Sequence, residues 1–122
     1  MININSNTKF IGLIGYPLGH SLSPVMQNAA FQSKGINNVY LPIEVKPDNL
    51  ETVVKAIPNM NFDGFNVTIP FKVEIMKYLH EVDELAKGIG AVNTVVIKDG
   101  RLKGYNTDGS GFLCSLEEGI GS

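Results

Sequence analysis

The sequence predicts an α/β domain: a mostly parallel open sheet with helices on both faces and one antiparallel strand. Three observations carry this. Short apolar, β-rich runs alternate with helical segments from Lys9 to about Lys87. Glycine and proline punctuate nearly every junction between them. Near the end, Asp99-Gly100 sits between two β-rich runs, which is the strongest short-range hairpin signal. With 122 residues the chain has the length of one domain.

Residues 1–8 are polar and Asn-rich and are expected to form an N-terminal tail, with the domain spanning 9–122. Lys9 to Gly15 (KFIGLIG) reads as a buried strand. The turn-rich segment Tyr16 to Leu22 leads to Ser23-Pro24, a helix start with Ser at the N-cap and Pro at the first helical position. Val25/Ala29 and Met26/Ala30 keep the spacing of an amphipathic face, and Gly35 is a C-terminal stop. Val39 to Val45 is the second strand. Pro47-Asp48 opens a helix that carries Leu50, Val53, Val54 and Ile57 and ends at Pro58.

Phe62 to Ile69 is the third strand, with Phe65, Val67 and Ile69 on one face and Asn66 and Thr68 on the other. A helix is expected from about Phe71, burying Val73, Ile75, Met76 and Leu79. A short helix follows over Asp83 to Lys87, then a loop at Gly88-Ile89-Gly90. The hairpin strands are Val92–Lys98 and Arg101–Asn106, and a last helix is expected from Asp108 to Glu118.

Composition removes several function classes. Ten basic residues stand against twelve acidic ones, so the net charge is -2, and Arg101 is the single arginine. A nucleic-acid binder needs a basic excess to neutralise phosphates. The longest apolar run, Phe10 to Tyr16, is far short of a bilayer span, and residues 1–9 lack a secretory layout. A cytoplasmic protein is expected. Cys114, His20 and His80 are scattered without metal-ligand spacing, so no metal is expected. His80 near a helix end and Cys114 within the last helix are explained by helix electrostatics and packing.

In open α/β sheets ligands bind beyond the carboxyl ends of the parallel strands. Ser21 and Ser23 follow the first strand, Thr68 and Lys72 the third, and Asp108 the last. If Asp99-Gly100 is the turn, Lys98 pairs with Arg101 and Asn93 with Asn106, which brings Asn93 to the same rim. This set suits a small polyhydroxylated acid. Position alone leaves each residue open. Ser23 can be only an N-cap, Thr68 only a β-branched strand residue, Asn93 only a partner for a strand-start backbone group, and Asp108 only a helix-start acid. Lys72 is harder to explain structurally, because a cation in the first turn of a helix opposes the macrodipole by about 0.3–1 kcal/mol. Gly109-Ser110-Gly111-Phe112-Leu113-Cys114 nearly matches a dinucleotide fingerprint but lacks its third glycine and downstream acid.

Four ordered motifs then stand out: Gly15 to Pro24 (GYPLGHSLSP), Asn66 to Lys72 (NVTIPFK), Gly90 to Thr94 (GAVNT) and Gly104 to Gly109 (GYNTDG). Together they resemble the substrate-binding domain of shikimate dehydrogenase, over about residues 9–118. The resemblance implies an NADPH-dependent oxidoreductase that reversibly reduces 3-dehydroshikimate to shikimate, on the pathway to chorismate and the aromatic amino acids. It implies Lys72 and Asp108 as the catalytic pair, and Ser21, Ser23, Thr68, Lys72, Asn93 and Asp108 as substrate-binding residues. It also implies that NADP is held by a second, C-terminal nucleotide-binding domain, the expected partner. That domain is expected to be absent here, so the chain alone is expected to be inactive and to hold no cofactor. Two other readings remain: a quinate/shikimate dehydrogenase, and a stand-alone binding module for shikimate-like hydroxy acids.

Overall fold

A computed structural model describes residues 4–19 and 23–107. In chain order the elements are β1 (Lys9–Gly15), α1 (Ser23–Ser33), β2 (Asn38–Glu44), α2 (Leu50–Ala56), β3 (Phe62–Val67), β4 (Glu81–Val82), α3 (Glu84–Ile89), β5 (Thr94–Lys98) and β6 (Arg101–Tyr105). Short 3-10 turns flank α2, and another covers Glu74–Tyr78. The six strands form one sheet in the order β2-β1-β3-β5-β6-β4. β1 runs parallel to β2 and β3, and β4 parallel to β6. β5 alone runs against its neighbours, β3 and β6. This is the predicted fold class.

One face of the sheet carries the core. Leu50 and Val54 of α2, Ile57, Phe71, Ile75 and Ala86 of α3 close over Ile14, Phe65, Val67, Val95 and Leu102. Each large side chain buried there contributes roughly 1.5–3 kcal/mol. On the other face α1 lies along the edge strand β2. Its Asn28 side chain accepts the Tyr40 N–H at 2.7 Å and donates to the Tyr40 carbonyl at 3.0 Å. Backbone groups of an edge strand that would otherwise be unpaired are thereby satisfied. α1 ends as Gly35 predicts: Gly35 has φ +66°, its N–H donates to Gln32, and the Ile36 N–H donates to Phe31, the Schellman pattern. The hairpin turn is also as predicted, with Asp99 and Gly100 both at positive φ.

Several expectations fail for identifiable reasons. Val25 and Met26 are 67% and 68% exposed, because α1 turns Asn28 rather than that apolar pair toward β2. Ile69 leaves the Phe65/Val67 face and is 74% exposed, since β3 ends at Val67 and the chain turns. The helix expected from Phe71 is instead a turn followed by the five-residue 3-10 segment. In an α-helix the Lys72 carbonyl would accept from Met76. Here the Val92 N–H takes it at 2.8 Å, and Met76 falls back on the Val73 carbonyl at 3.2 Å. The two-residue strand β4 is too short to show a period. Gly88 and Ile89, expected in a loop, complete α3, and Gly90 is its left-handed cap at φ +84°.

Ahead of β1, the segment expected as a tail is tied down from Asn5. The Asn5 N–H donates to Thr8 Oγ1 at 2.9 Å, Thr8 Oγ1 donates to Asn37 Oδ1 at 2.8 Å, and Thr8 is fully buried. His80 is structural, since its Nδ1 accepts the Leu102 N–H at 2.9 Å. No described helix is long and apolar enough to cross a membrane. The expected Asp108–Glu118 helix and Cys114 lie outside the described residues.

Gly64 allows β3 and β5 to pair closely, because a Cβ there would sit 2.5 Å from the Val95 carbonyl oxygen. Gly64→Ala is therefore expected to destabilise the domain by about 1–3 kcal/mol, read as a lowered midpoint in urea unfolding.

Candidate functional site

The carboxyl ends of β1, β3 and β6 meet the amino end of β5 at one edge of the sheet. β2 and β3 lie on opposite sides of β1, so the edge between β1 and β3 is a topological switch point. Gly15 sets how closely the two ends approach. A Cβ there would collide with the Thr68 methyl and with Leu18, and would lie 3.1 Å from the Ile69 carbonyl. The contact is closed by backbone bonds: Thr68 N–H to Ile14 at 2.9 Å and Tyr16 N–H to Ile69 at 3.1 Å. From the end of β2, the Glu44 carboxylate accepts the Leu18 N–H at 2.9 Å and anchors the loop that runs on toward Ser23.

Thr68 lies immediately past β3 and is half-buried. Lys72 is half-buried too, held by the bond from Val92 to its carbonyl. It precedes a 3-10 segment instead of sitting in the first turn of an α-helix, so the macrodipole argument made for its amine has no helix to act through. Ser23 opens α1. Ser21, Asp108 and His20 lie outside the described residues.

Asn93 arrives through the hairpin register. Lys98 faces Arg101 and Thr94 faces Tyr105, where the ladder ends; both strands are shorter than predicted, so the expected Asn93–Asn106 pair falls outside it and Asn93 lies just beyond the Thr94–Tyr105 pair. Its N–H donates to the Tyr105 carbonyl at 3.0 Å, and its carbonyl accepts from Val67 at 2.8 Å. β6 and β3 thus hold one residue between them. Its Oδ1 accepts from Thr94 Oγ1 at 2.9 Å, from the Thr107 N–H at 3.0 Å and from Thr107 Oγ1 at 3.2 Å. The Nδ2 has no partner among the described residues. Asn106 is buried, and its amide donates to the Ala91 carbonyl at 3.1 Å.

Behind this rim the Tyr40 hydroxyl donates to Asn66 Oδ1 at 2.7 Å, and Asn66 Nδ2 donates to Thr94 Oγ1 at 3.2 Å. Burial pushes the Tyr40 phenol above its ordinary pKa. Glu44, Thr94 and Thr107 were not marked by sequence reasoning, and Asn66 was placed only by face. An asparagine inside a β-branched strand was the available signal, since asparagine is depleted there.

The structure therefore brings Thr68, Lys72 and Asn93 to one rim by backbone bonds. A hollow of about 260 Å³ lies elsewhere, on the sheet face of β5 and β6, lined by Glu81, Val96, Lys98, Asp99, Arg101, Lys103 and Tyr105. Its Lys103 is paired with Glu81 at 3.2 Å. Among the described residues no three His, Cys, Asp or Glu side chains could share a metal. Gly88-Ile89-Gly90 closes a helix rather than joining strand to helix, and Gly15 is packed against Thr68. The segment Gly109–Cys114 lies outside the described residues.

Fold and rim define the class: a doubly wound α/β domain with a polar edge at its topological switch point. The chain belongs to the family of shikimate dehydrogenase substrate binding domains, whose family model matches residues 13–95. It is 57% identical over 118 residues to the NADP(+) shikimate dehydrogenase of Methanocaldococcus jannaschii, covering 97% of this chain and 42% of that protein. A crystal structure of a shikimate dehydrogenase in complex with NADP+ superposes with a TM-score of 0.86 at 56% identity, over 98% of this chain and 42% of the other. The Listeria monocytogenes enzyme, solved with shikimate and NAD, gives 0.85 at 46% identity, over 95% and 40%. The chain spans about two-fifths of the length of the curated relatives it matches.

Gly15→Ala is expected to part the ends of β1 and β3. Overpacking of this kind costs about 1–3 kcal/mol, so amide exchange at Thr68, whose N–H bonds to Ile14, should accelerate about fivefold to a hundredfold or more. Unchanged protection at Thr68 would show that the contact is not closed by Gly15.

Proposed function

We propose that this chain forms the substrate-binding and proton-donating wall of an NADP-dependent shikimate dehydrogenase. The reading is carried by the rim itself. Thr68, Lys72 and Asn93 meet where three parallel strands end, and among the described residues the Asn93 carboxamide keeps only its donor side open. A hydroxyl, an amine and an amide donor fit an oxygen-rich ring acid. The family match and the relatives' NADP(+) dependence support the reaction class.

Reduction of a ring ketone adds a hydride to carbon and a proton to oxygen. The described residues serve the second half. Lys72, as an ammonium, donates a proton to the ketone oxygen and takes it back in the reverse direction. Asp108 accepts a hydrogen bond from a ring hydroxyl and fixes the orientation of the substrate. Ser21 and Ser23 donate to the substrate carboxylate, while Thr68 and Asn93 bind ring hydroxyls. The hydride donor belongs to a dinucleotide-binding domain, the partner of this one. We assign residues 9–122 to the substrate half of that pair.

Titration with shikimate should shift the amide resonances of Thr68, Asn93 and Thr107. Shifts confined to other parts of the sheet would overturn the assignment. The purified 122-residue chain, mixed with shikimate and NADP, should produce no NADPH. In a form that includes the dinucleotide domain, Lys72→Ala should lower kcat by at least about a hundredfold with KM within a few-fold. Near-normal turnover in that variant would sink the role of Lys72.

A further inference from the structure

We infer that Tyr40, Asn66 and Thr94 form a one-way hydrogen-bond chain that fixes the orientation of the Asn93 carboxamide, so that the rim offers a donor there and not an acceptor. The inference rests on the reading of Asn93 as a contact for a ring oxygen. It adds three positioning residues, none of which needs to touch the ligand.

The direction of each bond follows from donor and acceptor counting. The Tyr40 hydroxyl reaches across β1 from β2 and donates to Asn66 Oδ1 at 2.7 Å. With that oxygen engaged, Asn66 turns its Nδ2 toward Thr94 Oγ1 at 3.2 Å and the Asn93 carbonyl at 3.5 Å. Thr94 carries a single hydroxyl hydrogen. Since its oxygen accepts from Asn66, that hydrogen goes to Asn93 Oδ1 at 2.9 Å. Every link then donates the same way, from the α1 side of the sheet to the rim.

Thr107 completes the arrangement with two further donors to the same oxygen, at 3.0 and 3.2 Å. A flipped Asn93 would set its NH2 against the Thr107 N–H, donor against donor. It would also leave the Thr94 hydroxyl without an acceptor. Burial makes the chain stiff at its origin. Tyr40 is 4% exposed, and Asn28 grips both its backbone groups. Asn66 and Thr94 face one another directly in the β3–β5 register. The Nδ2 hydrogens of Asn93 are thus preset for a hydroxyl or carbonyl oxygen, so that little orientational freedom is lost when a ligand binds.

The test uses shikimate titrations of the chain, followed by NMR, for the wild type and for Thr94→Val, Thr94→Ser, Asn93→Ala and the Thr94→Val/Asn93→Ala double variant. Thermal unfolding shows that each variant is folded. Thr94→Val is expected to weaken binding about three- to tenfold, the worth of one hydrogen bond, and Thr94→Ser to restore it. Tyr40→Phe should shift affinity in the same direction by less. In the Asn93→Ala background, Thr94→Val should add nothing, because its effect travels through the carboxamide. An unchanged affinity in Thr94→Val, or a loss of equal size with and without Asn93, overturns the positioning chain. If Asn93→Ala itself binds like the wild type, or the wild type does not bind, the reading of the rim fails and the chain's role goes with it.

Discussion

The geometry of the rim depends on one close contact, the approach of the ends of β1 and β3 at Gly15 and Thr68. A side chain at Gly15 would occupy space already held by the Thr68 methyl and Leu18. Without one, the Ile14 carbonyl takes the Thr68 N–H and the Ile69 carbonyl takes the Tyr16 N–H. Two segments far apart in sequence thereby become a single wall. The loop toward Ser23 leaves from one side of the contact and the turn to Lys72 from the other. The remaining bonds extend this junction: Glu44 braces the loop from β2, and Val92 ties Lys72 to the hairpin.

Those bonds also explain how the candidate site residues are held on irregular backbone in an otherwise regular sheet. Thr68, Lys72 and Asn93 all lie just outside strands. Each is held by a backbone bond to a different element: Thr68 to β1, Lys72 to the segment before β5, and Asn93 to both β3 and β6. Backbone held this way is as constrained as that within a strand, yet it lies past the strand end, where open α/β sheets place their ligand sites.

Much of this was legible in the sequence. The parallel strands, the Gly35 stop and the Asp99-Gly100 turn follow local rules, and the count outward from that turn holds as far as Thr94 opposite Tyr105, beside Asn93. What was not legible depends on bonds between distant residues. Nothing near Lys72 announces that Val92 will claim its carbonyl, and that one bond replaces the expected helix with a tighter turn. Periodicity put Val25 and Met26 inward, but the backbone of an edge strand needed Asn28. The chain from Tyr40 to Asn93 joins three segments, each of which looks ordinary alone.

The hairpin has a further consequence. Asn93 adjoins the Thr94–Tyr105 pair, whose register is counted from a two-residue turn at the far end of β5 and β6. Because side chains alternate along a strand, a change of one residue in that turn would interchange the faces of everything paired above it. Val95 and Leu102, buried in the core, would then trade places with outward neighbours such as Val96 and Lys103. Packing therefore enforces the phase of the binding edge. Selection for a dry interior polices the count, even at a turn at the opposite end of the hairpin from the rim.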